Sequence, residues 1–326
     1  MSEKTQKPKI LVARSIFPDI LERLQEVAEV ESNQSDRIWE PEALRQALVD
    51  KDAAIITGSE PIGEAHLKTA THLKIISNIA VGYNNLDLAA LKAANILATN
   101  TPDVLTETTA DFGFALLMAT ARRVTETEHW LRAGHWKKFS ICDTPLAMDI
   151  HHSNLGIMGM GRIGQAIAKR ASGFSMNVMY HNRSRLSPDL EQECGARYVD
   201  RDTLLKESDH IILVMPYTPE NHHLFGEKEL SLMKPTATLI NIARGGIVDE
   251  LALAKALKEK RIFAAGIDVF EGEPTVRSEL LALSNVVLSP HIASATEKTR
   301  RAMIELAIKN CLAGLAGLAP PNLIVY

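Results

Sequence analysis

Three separated segments of the chain combine residue types that do chemistry. They are Gly159-Met160-Gly161-Arg162-Ile163-Gly164, Arg244 within the run Asn241 to Gly246, and Glu273 followed by His291. A glycine triplet that opens a helix can hold the phosphates of a dinucleotide. A guanidinium can bind an anion, and an imidazole beside a carboxylate can move a proton. Because a strand-like run leads into each segment, the combination favours an oxidoreductase that transfers a hydride.

The glycine triplet has the sequence context that a nucleotide-binding loop requires. The apolar run Leu155 to Met158 precedes it, and apolar residues at helical spacing follow it from Ile163 onward. Gly159 permits the tight turn, Gly161 lets the pyrophosphate approach the backbone, and Gly164 lets the helix pack on the strand. The first N–H groups of such a helix point at the phosphates. We therefore expect a dinucleotide on this loop.

The next predicted strand decides between NADH and NADPH. An NAD site usually ends this strand with an acid that holds the ribose hydroxyls. Here the strand is followed by Asn182-Arg183-Ser184-Arg185, which contains no acid. Two guanidinium groups and a hydroxyl suit the 2′-phosphate of NADPH, because arginine makes forked, charge-assisted bonds to phosphate. We expect a preference for NADPH, with NADH as the other possible cofactor; the alternative interpretation is a solvated basic turn.

The candidate reacting groups follow two further strands. Arg244 comes after the apolar run Leu239 to Ile242, and ligands of open parallel sheets bind beyond the carboxyl ends of the strands. A guanidinium there can bind a carboxylate at two points and polarise the adjacent carbonyl. Glu273 is the candidate partner of His291, since a carboxylate on one ring nitrogen lets the other nitrogen donate a proton. Glu271 is a rival for the same place.

Composition excludes several other classes of protein. The chain has 326 residues, of which 46% are hydrophobic and 23% charged, as is typical of a globular protein with two domains. A formal charge of −4 gives no electrostatic case for nucleic acid or for an anionic membrane. The polar N-terminus lacks the apolar core of a signal peptide. Three distant cysteines, Cys142, Cys194 and Cys311, predict reduced thiols. We expect a cytoplasmic protein.

Two pairs of adjacent histidines, His151-His152 and His222-His223, are candidates for metal ligands. Adjacent side chains point apart on a strand or a helix, and no further ligand stands at a typical spacing. The sequence therefore predicts no metal site.

Apolar runs alternate with amphipathic stretches along the chain, which predicts an α/β protein with doubly wound parallel sheets. Strand candidates of the first series are Lys9 to Ala13, Ala53 to Thr57, Leu73 to Ser77 and Ile96 to Thr99, with a helix from Asp19 to Val30. Strands of the second series begin at Leu155, Asn177, Ile211, Thr238, Ala265 and Val286. One helix predicted from Thr106 to Ala133 would link two domains and favours a homodimer, and another predicted from Ala295 to Leu318 would return to the first domain.

The motifs make nearly the whole chain similar to the D-isomer-specific 2-hydroxyacid dehydrogenase family. Arg244, Glu273 and His291 match the catalytic arginine, glutamate and histidine of that family. The run Ser77 to Tyr83 resembles its substrate loop, which implies that backbone N–H groups, here those of Val81 and Gly82, hold the substrate carboxylate together with Arg244 and near His291.

The resemblance also implies the architecture and the cofactor contacts. We expect a Rossmann cofactor domain at residues 104–292 and a discontinuous, flavodoxin-like substrate domain at residues 1–103 plus 293–326, with a cleft between them. Further cofactor contacts are expected at Arg162, Ile163, Pro216, Thr218, Ala243, Asp268 and Ser294.

Within the family, the chain is similar to the NADPH-preferring glyoxylate/hydroxypyruvate reductases, also called 2-ketogluconate reductases. The runs Thr101 to Thr108 and Asp149 to His152 carry this similarity, with the basic turn at Arg183. Two positions depart from the family pattern. Thr144 to Leu146 stands where some relatives place a tryptophan that reaches a neighbouring subunit, and Ala293 stands where glycine is common.

The resemblance implies NADPH-dependent reduction of glyoxylate, hydroxypyruvate or 2-ketogluconate to a D-2-hydroxy acid, with His291 as proton donor. An NAD-linked D-2-hydroxyacid dehydrogenase, such as a D-lactate or phosphoglycerate dehydrogenase, is disfavoured by the missing ribose acid. Formate dehydrogenases of this branch have glutamine where the chain has Glu273. The alternative from another class is a nucleotide-sensing, corepressor-like protein with the same fold and residues.

Overall fold

The chain divides into two compact units, Met1–Leu105 with Thr296–Tyr326 (unit 1) and Thr106–Ala295 (unit 2). The computed structural model describes residues 7–325. The sequence prediction placed the domain boundaries after residues 103 and 292, whereas the structure divides the chain after Leu105 and Ala295. A helix begins at Thr106, and Thr296 accepts the capping hydrogen bond of the last helix, so both residues belong with the helices that they start. The binding roles of the units stay a prediction.

The N-terminal part of unit 1 forms a parallel sheet with strand order β2-β1-β3-β4-β5. Its elements are β1 (Lys9–Val12), α1 (Pro18–Val27), β2 (Glu29–Ser32), α2 (Pro41–Leu48), β3 (Ala53–Ile56), α3 (Glu64–Leu67), β4 (Ile75–Asn78), α4 (Leu88–Ala93) and β5 (Leu97–Thr99). All residues of β3 and β4 are buried, as expected for central strands covered on both faces.

Strand β2 corrects the sequence prediction of a helix from Asp19 to Val30. The helix α1 ends at Val27, and the chain then pairs with β1 at the edge of the sheet. Residues of β2 alternate between exposed and half-buried, which is the two-residue period of an edge strand. Their two glutamates make the segment polar, and this hid the strand among helix-like residues.

Unit 2 forms a second parallel sheet with strand order β12-β11-β10-β9-β6-β7-β8. Its helices are α5 (Thr106–Ala121), α6 (Val124–Arg132), α7 (Arg162–Ser172), α8 (Pro188–Cys194), α9 (Arg201–Glu207), a 3-10 helix (Pro219–Asn221), α10 (Glu227–Leu232), α11 (Glu250–Lys258) and α12 (Ser278–Leu281). Its strands are β6 (Asn154–Met158), β7 (Asn177–His181), β8 (Ala196–Tyr198), β9 (His210–Leu213), β10 (Thr238–Asn241), β11 (Ala264–Ile267) and β12 (Val286–Leu288). The strand order reverses between β6 and β9, and such a switch point forms a ligand crevice at the carboxyl ends of the strands.

The single helix predicted from Thr106 to Ala133 is wrong, because the chain breaks it into α5 and α6. Arg123 lies at the break with φ of 52°, in the left-handed region that a continuous helix cannot contain. Its guanidinium donates to Glu126 and to the Leu146 carbonyl, and it lies 5.7 Å from the Phe263 ring centroid. The contacts with Leu146 and Phe263 are distant in sequence, and they stabilise a turn that the local sequence does not indicate.

The last helix, α13 (Glu297–Leu315), returns to unit 1 and packs on β3, β4 and β5. Asn310 is fully buried in this helix, and its side chain donates to the Asn100 carbonyl and accepts from the Asn322 N–H. The two all-parallel sheets confirm the predicted α/β class. Across residues 7–325, every helix is too short or too polar to serve as a membrane span. All three cysteines are free thiols.

Candidate active site

The glycine loop between β6 and α7 turns tightly and leaves room for a ligand. Gly159 has φ of +102°, and a Cβ there would lie 2.7 Å from the Met215 backbone nitrogen. A Cβ on Gly164 would collide with the Gly159 carbonyl oxygen, so the helix packs closely on the loop. A Cβ on Gly161 would meet nothing within 4 Å. The first and third glycines are therefore required by the protein, and the second faces open space.

The N-terminus of α7 has the properties of an anion site. Gly161 is its N-cap, and no side chain caps the helix. Uncapped N–H groups and the helix dipole favour a negatively charged ligand. The Asn182 side-chain oxygen accepts the Met160 N–H at 2.7 Å, so Asn182 positions the glycine loop. Arg162 is exposed and Ile163 half-buried at the start of the helix. These residues fit a dinucleotide pyrophosphate.

The basic turn after β7 divides into exposed and paired residues. Arg183 and Ser184 are exposed. Arg185 makes two hydrogen bonds to Glu191, at 2.8 and 2.7 Å, and the Tyr180 hydroxyl donates to the same carboxylate at 2.7 Å. The bonds from Arg185 and Tyr180 lower the pKa of Glu191 to about 2. Arg185 must therefore leave a charged partner before it can bind a phosphate, whereas Arg183 makes no such forked pair with this carboxylate.

The loop after β9 contains two of the predicted cofactor contacts, Pro216 and Thr218. The Asn221 side chain holds both, because it donates to the Pro216 carbonyl at 2.8 Å and accepts the Thr218 N–H at 2.8 Å. This loop lies next to the glycine loop in sheet order, since β9 pairs with β6.

A buried asparagine shapes the turn that carries Arg244. Asn241 is the last residue of β10; its side chain accepts the Ala243 N–H at 3.1 Å and donates to the Arg244 carbonyl at 3.0 Å. The Arg244 guanidinium donates to the Ala243 carbonyl at 2.7 Å. Sequence reasoning missed Asn241, although its position as the polar residue that ends an apolar strand was a usable signal.

The Arg244 turn packs directly on the segment that follows β11. A Cβ on Gly245 would overlap the backbone of Phe270 and Glu271, so only glycine allows this approach. Burial lowers the pKa of Arg244, and the negative charge of Glu273 opposes that effect. Arg244 is half-buried, and a guanidinium partly removed from water in this way gains from an anionic ligand.

His291 and Glu273 form a direct hydrogen bond. Glu273 Oε2 lies 2.8 Å from His291 Nδ1, and Glu273 Oε1 accepts the Phe270 N–H at 2.9 Å. Burial alone would raise the pKa of Glu273, but the bond and charge of His291, the Phe270 N–H and the charge of Arg244 together hold it below its usual value. The rival Glu271 points elsewhere, with its Oε2 3.0 Å from His223 Nε2.

Asp268 holds the loop that presents His291. It is fully buried, and Oδ1 accepts from the Ser289 hydroxyl at 2.7 Å and from the Ile292 N–H at 2.9 Å, while Oδ2 accepts the Ala293 N–H at 3.0 Å. The Asp268 carbonyl accepts the His291 N–H at 2.9 Å. Burial raises the pKa of this carboxyl group, and the hydrogen bonds oppose the rise. The family resemblance assigned Asp268 to the cofactor, and its two oxygens are bound to this loop.

The remaining predicted site residues lie in several places. Ala243 is buried beside Arg244, and Ser294 is half-buried in the turn before α13. Val81 and Gly82 lie in unit 1, in the loop after β4. There the side-chain amides of Asn100 and Asn78 donate to their carbonyl oxygens at 2.9 and 3.0 Å.

One expectation about the histidine pairs is wrong. The rings of His222 and His223 stack with centroids 3.9 Å apart, so adjacent side chains do not point apart here. His223 has φ of 51°, and this left-handed residue turns its side chain to the same side as that of its neighbour. The His151 and His152 rings meet edge to face at 5.3 Å.

Comparisons with known proteins show which family the chain is similar to. Residues 114–293 match the family model described as D-isomer specific 2-hydroxyacid dehydrogenase, NAD binding domain. The chain is 46% identical to the glyoxylate reductase of Thermococcus onnurineus, over 98% of this chain and 96% of that protein. It is 44% identical to glyoxylate/hydroxypyruvate reductase B of Shigella boydii serotype 4, over 97% of each.

A solved structure shares the overall fold of the chain. It is the crystal structure of an NADPH-dependent glyoxylate/hydroxypyruvate reductase from Sinorhizobium meliloti, in complex with NADP and malonate. The TM-score is 0.87 and the identity 34%, with 98% of this chain and 97% of that chain covered.

Proposed function

Because the chain belongs to the D-isomer-specific 2-hydroxyacid dehydrogenase family, we propose that it reduces a 2-keto acid to the D-2-hydroxy acid with NADPH. Relatives named glyoxylate reductase and glyoxylate/hydroxypyruvate reductase support glyoxylate and hydroxypyruvate as substrates, and 2-ketogluconate is the third candidate. The observation that carries the proposal is the 2.8 Å contact between Glu273 and His291, together with half-buried Arg244, whose charge interacts with Glu273.

The reaction needs an anchored carbonyl and a proton. NADPH, when bound, supplies the hydride that reaches the keto carbon. Arg244 binds the substrate carboxylate and polarises the carbonyl next to it. His291, protonated and held at Nδ1 by Glu273, donates the proton from Nε2 to the keto oxygen. Asn241 and Asp268 act as positioning residues, since they shape the turns that carry Arg244 and His291. The binding of the substrate carboxylate by the backbone N–H groups of Val81 and Gly82 stays a prediction.

Replacement of His291 tests the proton-donor role. We expect His291→Ala to lower kcat by about 10²–10⁴-fold, the usual contribution of a general acid. NADPH binding, measured as quenching of tryptophan fluorescence, should change little because the substitution leaves the glycine loop intact. His72→Ala serves as a control, because His72 is exposed in unit 1. A variant that keeps near-normal turnover would rule out His291 as the donor.

The preference for NADPH rests on the turn after β7. The turn contains no carboxylate for a ribose hydroxyl pair, and Arg183 and Ser184 are exposed there. Because Arg185 is already paired with Glu191, Arg183 is the stronger candidate for the 2′-phosphate.

Separate replacements of the two arginines test this assignment. Arg183→Ala should reduce kcat/KM for NADPH about tenfold or more, as expected for the loss of a charged hydrogen bond of about 1.5–3 kcal/mol, and should hardly affect NADH. Arg185→Ala should have a smaller effect, and Arg197→Ala, an exposed arginine paired with Glu207, should have none. Equal losses with NADPH and NADH would refute a 2′-phosphate contact.

A corepressor-like nucleotide sensor is the alternative function. Glyoxylate, hydroxypyruvate and 2-ketogluconate, each assayed with NADPH and with NADH, distinguish the two. Tight binding of NADPH without oxidation by any of the three would favour the sensor and reject the enzyme.

We further propose a homodimer. Apolar side chains between residues 124 and 146 are exposed, among them Trp136 at 54%, Phe139 at 83%, Ile141 at 81% and Leu146 at 66%. Exposed apolar side chains concentrated in one segment are typical of a protein interface, and a second copy of this chain is the proposed partner. Light scattering after size exclusion should give twice the chain mass, and Phe139→Ser with Ile141→Ser should shift it toward the monomer. A monomeric wild type would end this proposal.

We also propose that the protein is located in the cytoplasm. The three free thiols suit a reducing compartment. Cell fractionation tests it, and recovery with secreted proteins would contradict it.

A further inference from the structure

His222, His223 and Glu271 bring three metal-ligating side chains together outside the His291–Glu273 pair. Glu271 Oε2 lies 3.0 Å from His223 Nε2, and Glu271 Oε1 lies 3.8 Å from His222 Nε2. One ligand atom from each residue lies within 4.8 Å of the other two. The two imidazole planes are 22° apart, and in each ring Nε2 is the atom that faces the carboxylate.

The backbone holds this arrangement in place. His222 follows the 3-10 helix Pro219–Asn221, and the left-handed φ of His223 turns the chain so that the two rings overlap. The His223 N–H donates to the Gly246 carbonyl at 2.6 Å. The backbone that carries the pair is therefore fixed to a neighbouring loop.

A contact on the far side of one ring also orients it. His222 Nδ1 lies 3.2 Å from the Tyr217 hydroxyl. Bonds of this kind to the other nitrogen fix ring orientation and tautomer in metal sites. With Nδ1 engaged, His222 presents Nε2 toward Glu271.

We infer that this cluster binds a divalent late first-row transition-metal ion such as Zn²⁺, through His222 Nε2, His223 Nε2 and an oxygen of Glu271. Two imidazoles and one carboxylate, with water in the fourth position, form a common zinc ligand set. A tetrahedral ion with bonds of about 2.0–2.2 Å separates its ligand atoms by roughly 3.3–3.6 Å. The observed separations, 3.0 Å from Oε2 to His223 Nε2 and 3.8 Å from Oε1 to His222 Nε2, lie on either side of that range. They involve two different oxygens and two nearly parallel rings, so binding requires the carboxylate and at least one ring to rotate.

A neighbouring positive charge limits the affinity, and the ligand atoms set the kind of ion. Arg277 lies 3.9 Å from Glu271 and 3.4 Å from Glu250, so its positive charge opposes a cation and is shared between two carboxylates. Nitrogen ligands favour Zn²⁺, Ni²⁺ or Cu²⁺ over Mg²⁺ and Ca²⁺, which prefer oxygen ligands.

Calorimetric titration of untagged, EDTA-treated full-length protein with ZnCl₂ tests the inference. We expect one Zn²⁺ per chain at pH 7.5 and weaker binding at pH 5.5, since a ligating imidazole must be neutral. His223→Ala and Glu271→Gln should each weaken binding at least tenfold, and a hundredfold excess of Mg²⁺ should not compete. Circular dichroism checks that the variants fold, and Glu271→Gln preserves side-chain size.

Matched controls separate this site from adventitious binding. The double variant His151→Ala, His152→Ala removes another adjacent histidine pair and should leave the affinity within twofold. Cys142→Ser removes the exposed thiol and should do the same. Absence of one-to-one binding by the wild type, undiminished affinity of folded Glu271→Gln, or loss of binding in either control would overturn the assignment.

Discussion

Replacing Glu273 by glutamine removes one negative charge from the hydrogen bond that holds His291. The glutamine oxygen can keep the Phe270 N–H, which Glu273 Oε1 accepts at 2.9 Å. Its amide NH₂ then faces His291 Nδ1, where the carboxylate oxygen lies at 2.8 Å in the wild type. Because an NH₂ group only donates, Nδ1 must become an acceptor. This opposes the doubly protonated ring that proton donation from Nε2 requires.

The size of the effect follows from charge and exposure. A hydrogen bond to a charged group contributes about 1.5–3 kcal/mol. The side chains of His291 and Glu273 are 45% and 34% exposed, so water screens the pair and the lower value applies. A free-energy difference of about 1.4 kcal/mol moves a titration by one pH unit. Since the protonated ring loses its stabilising anion, the pH at which reduction falls to half its maximum should move down by about one unit.

The assay is kcat/KM for glyoxylate at saturating NADPH between pH 5 and 10. Over this range the wild-type carboxylate stays ionised, because the pKa of Glu273 lies below its usual value despite burial. Glu279→Gln is the matched control, since Glu279 is exposed in α12 and its side chain accepts from Ser278. That variant should reproduce the wild-type midpoint.

Two results would refute the reasoning. An unchanged midpoint in Glu273→Gln, with the protein folded, would mean that Glu273 does not stabilise the charged ring. A midpoint that moves upward would mean that the carboxylate opposes protonation, which contradicts the direct hydrogen bond.

Three further changes test other contacts. Gly245→Ala forces a Cβ into the Phe270 backbone and should lower the free energy of unfolding by about 1–3 kcal/mol, together with kcat/KM; Gly173→Ala, which meets only an ordinary contact, should change neither in urea titrations and kinetics. Asp268→Asn replaces one carboxylate oxygen, which accepts hydrogen bonds from the loop of residues 289–293, with an NH₂ donor. Calorimetry should therefore show a Tm lower by about 3–10 °C, and an unchanged Tm would contradict the role of Asp268 in holding this loop. Burial lowers the pKa of His210 below 6.5, despite the opposing charge of Asp209. The contribution of the neutral His210 ring to stability is therefore complete above pH 6.5 and is lost as the pH falls below 6.5. His210→Gln should therefore flatten the fall in unfolding free energy between pH 7.5 and 5.5, and an equal fall in both proteins would exclude that role.

The strands that carry the site were predictable because they are buried on both faces. Continuous apolar runs such as Leu239 to Ile242 leave few alternatives to a central parallel strand. The candidate site residues could be predicted for the same reason, since a polar residue directly after a buried parallel strand lies at the edge of the sheet where ligands bind. Edge strand β2 was missed because its polar alternation resembles the exposed side of a helix.

Features that depend on one backbone torsion could not be predicted. The break at Arg123 and the stacking of His222 on His223 both need a positive φ at a residue other than glycine. Nothing in the local sequence requires that torsion, since residues distant in the chain help to stabilise it, through the Leu146 carbonyl in one case and the Gly246 carbonyl in the other. The loop-holding role of Asp268 was hidden similarly, because its three hydrogen-bond donors lie more than twenty residues away in the chain.

The order of strands explains why residues so distant in sequence meet. Arg244 follows β10, Glu273 follows β11 and His291 follows β12, and these three strands are consecutive neighbours in the sheet. Parallel strands about 4.8 Å apart end at the same edge, so β10 and β12 are separated by roughly 10 Å at that edge. The segment after β11 spans this gap: its Phe270 backbone contacts the glycine next to Arg244, and its Glu273 reaches His291. A displacement of that middle segment must therefore disturb both neighbours at once, which makes it the mechanical link between the anion-binding arginine and the proton donor.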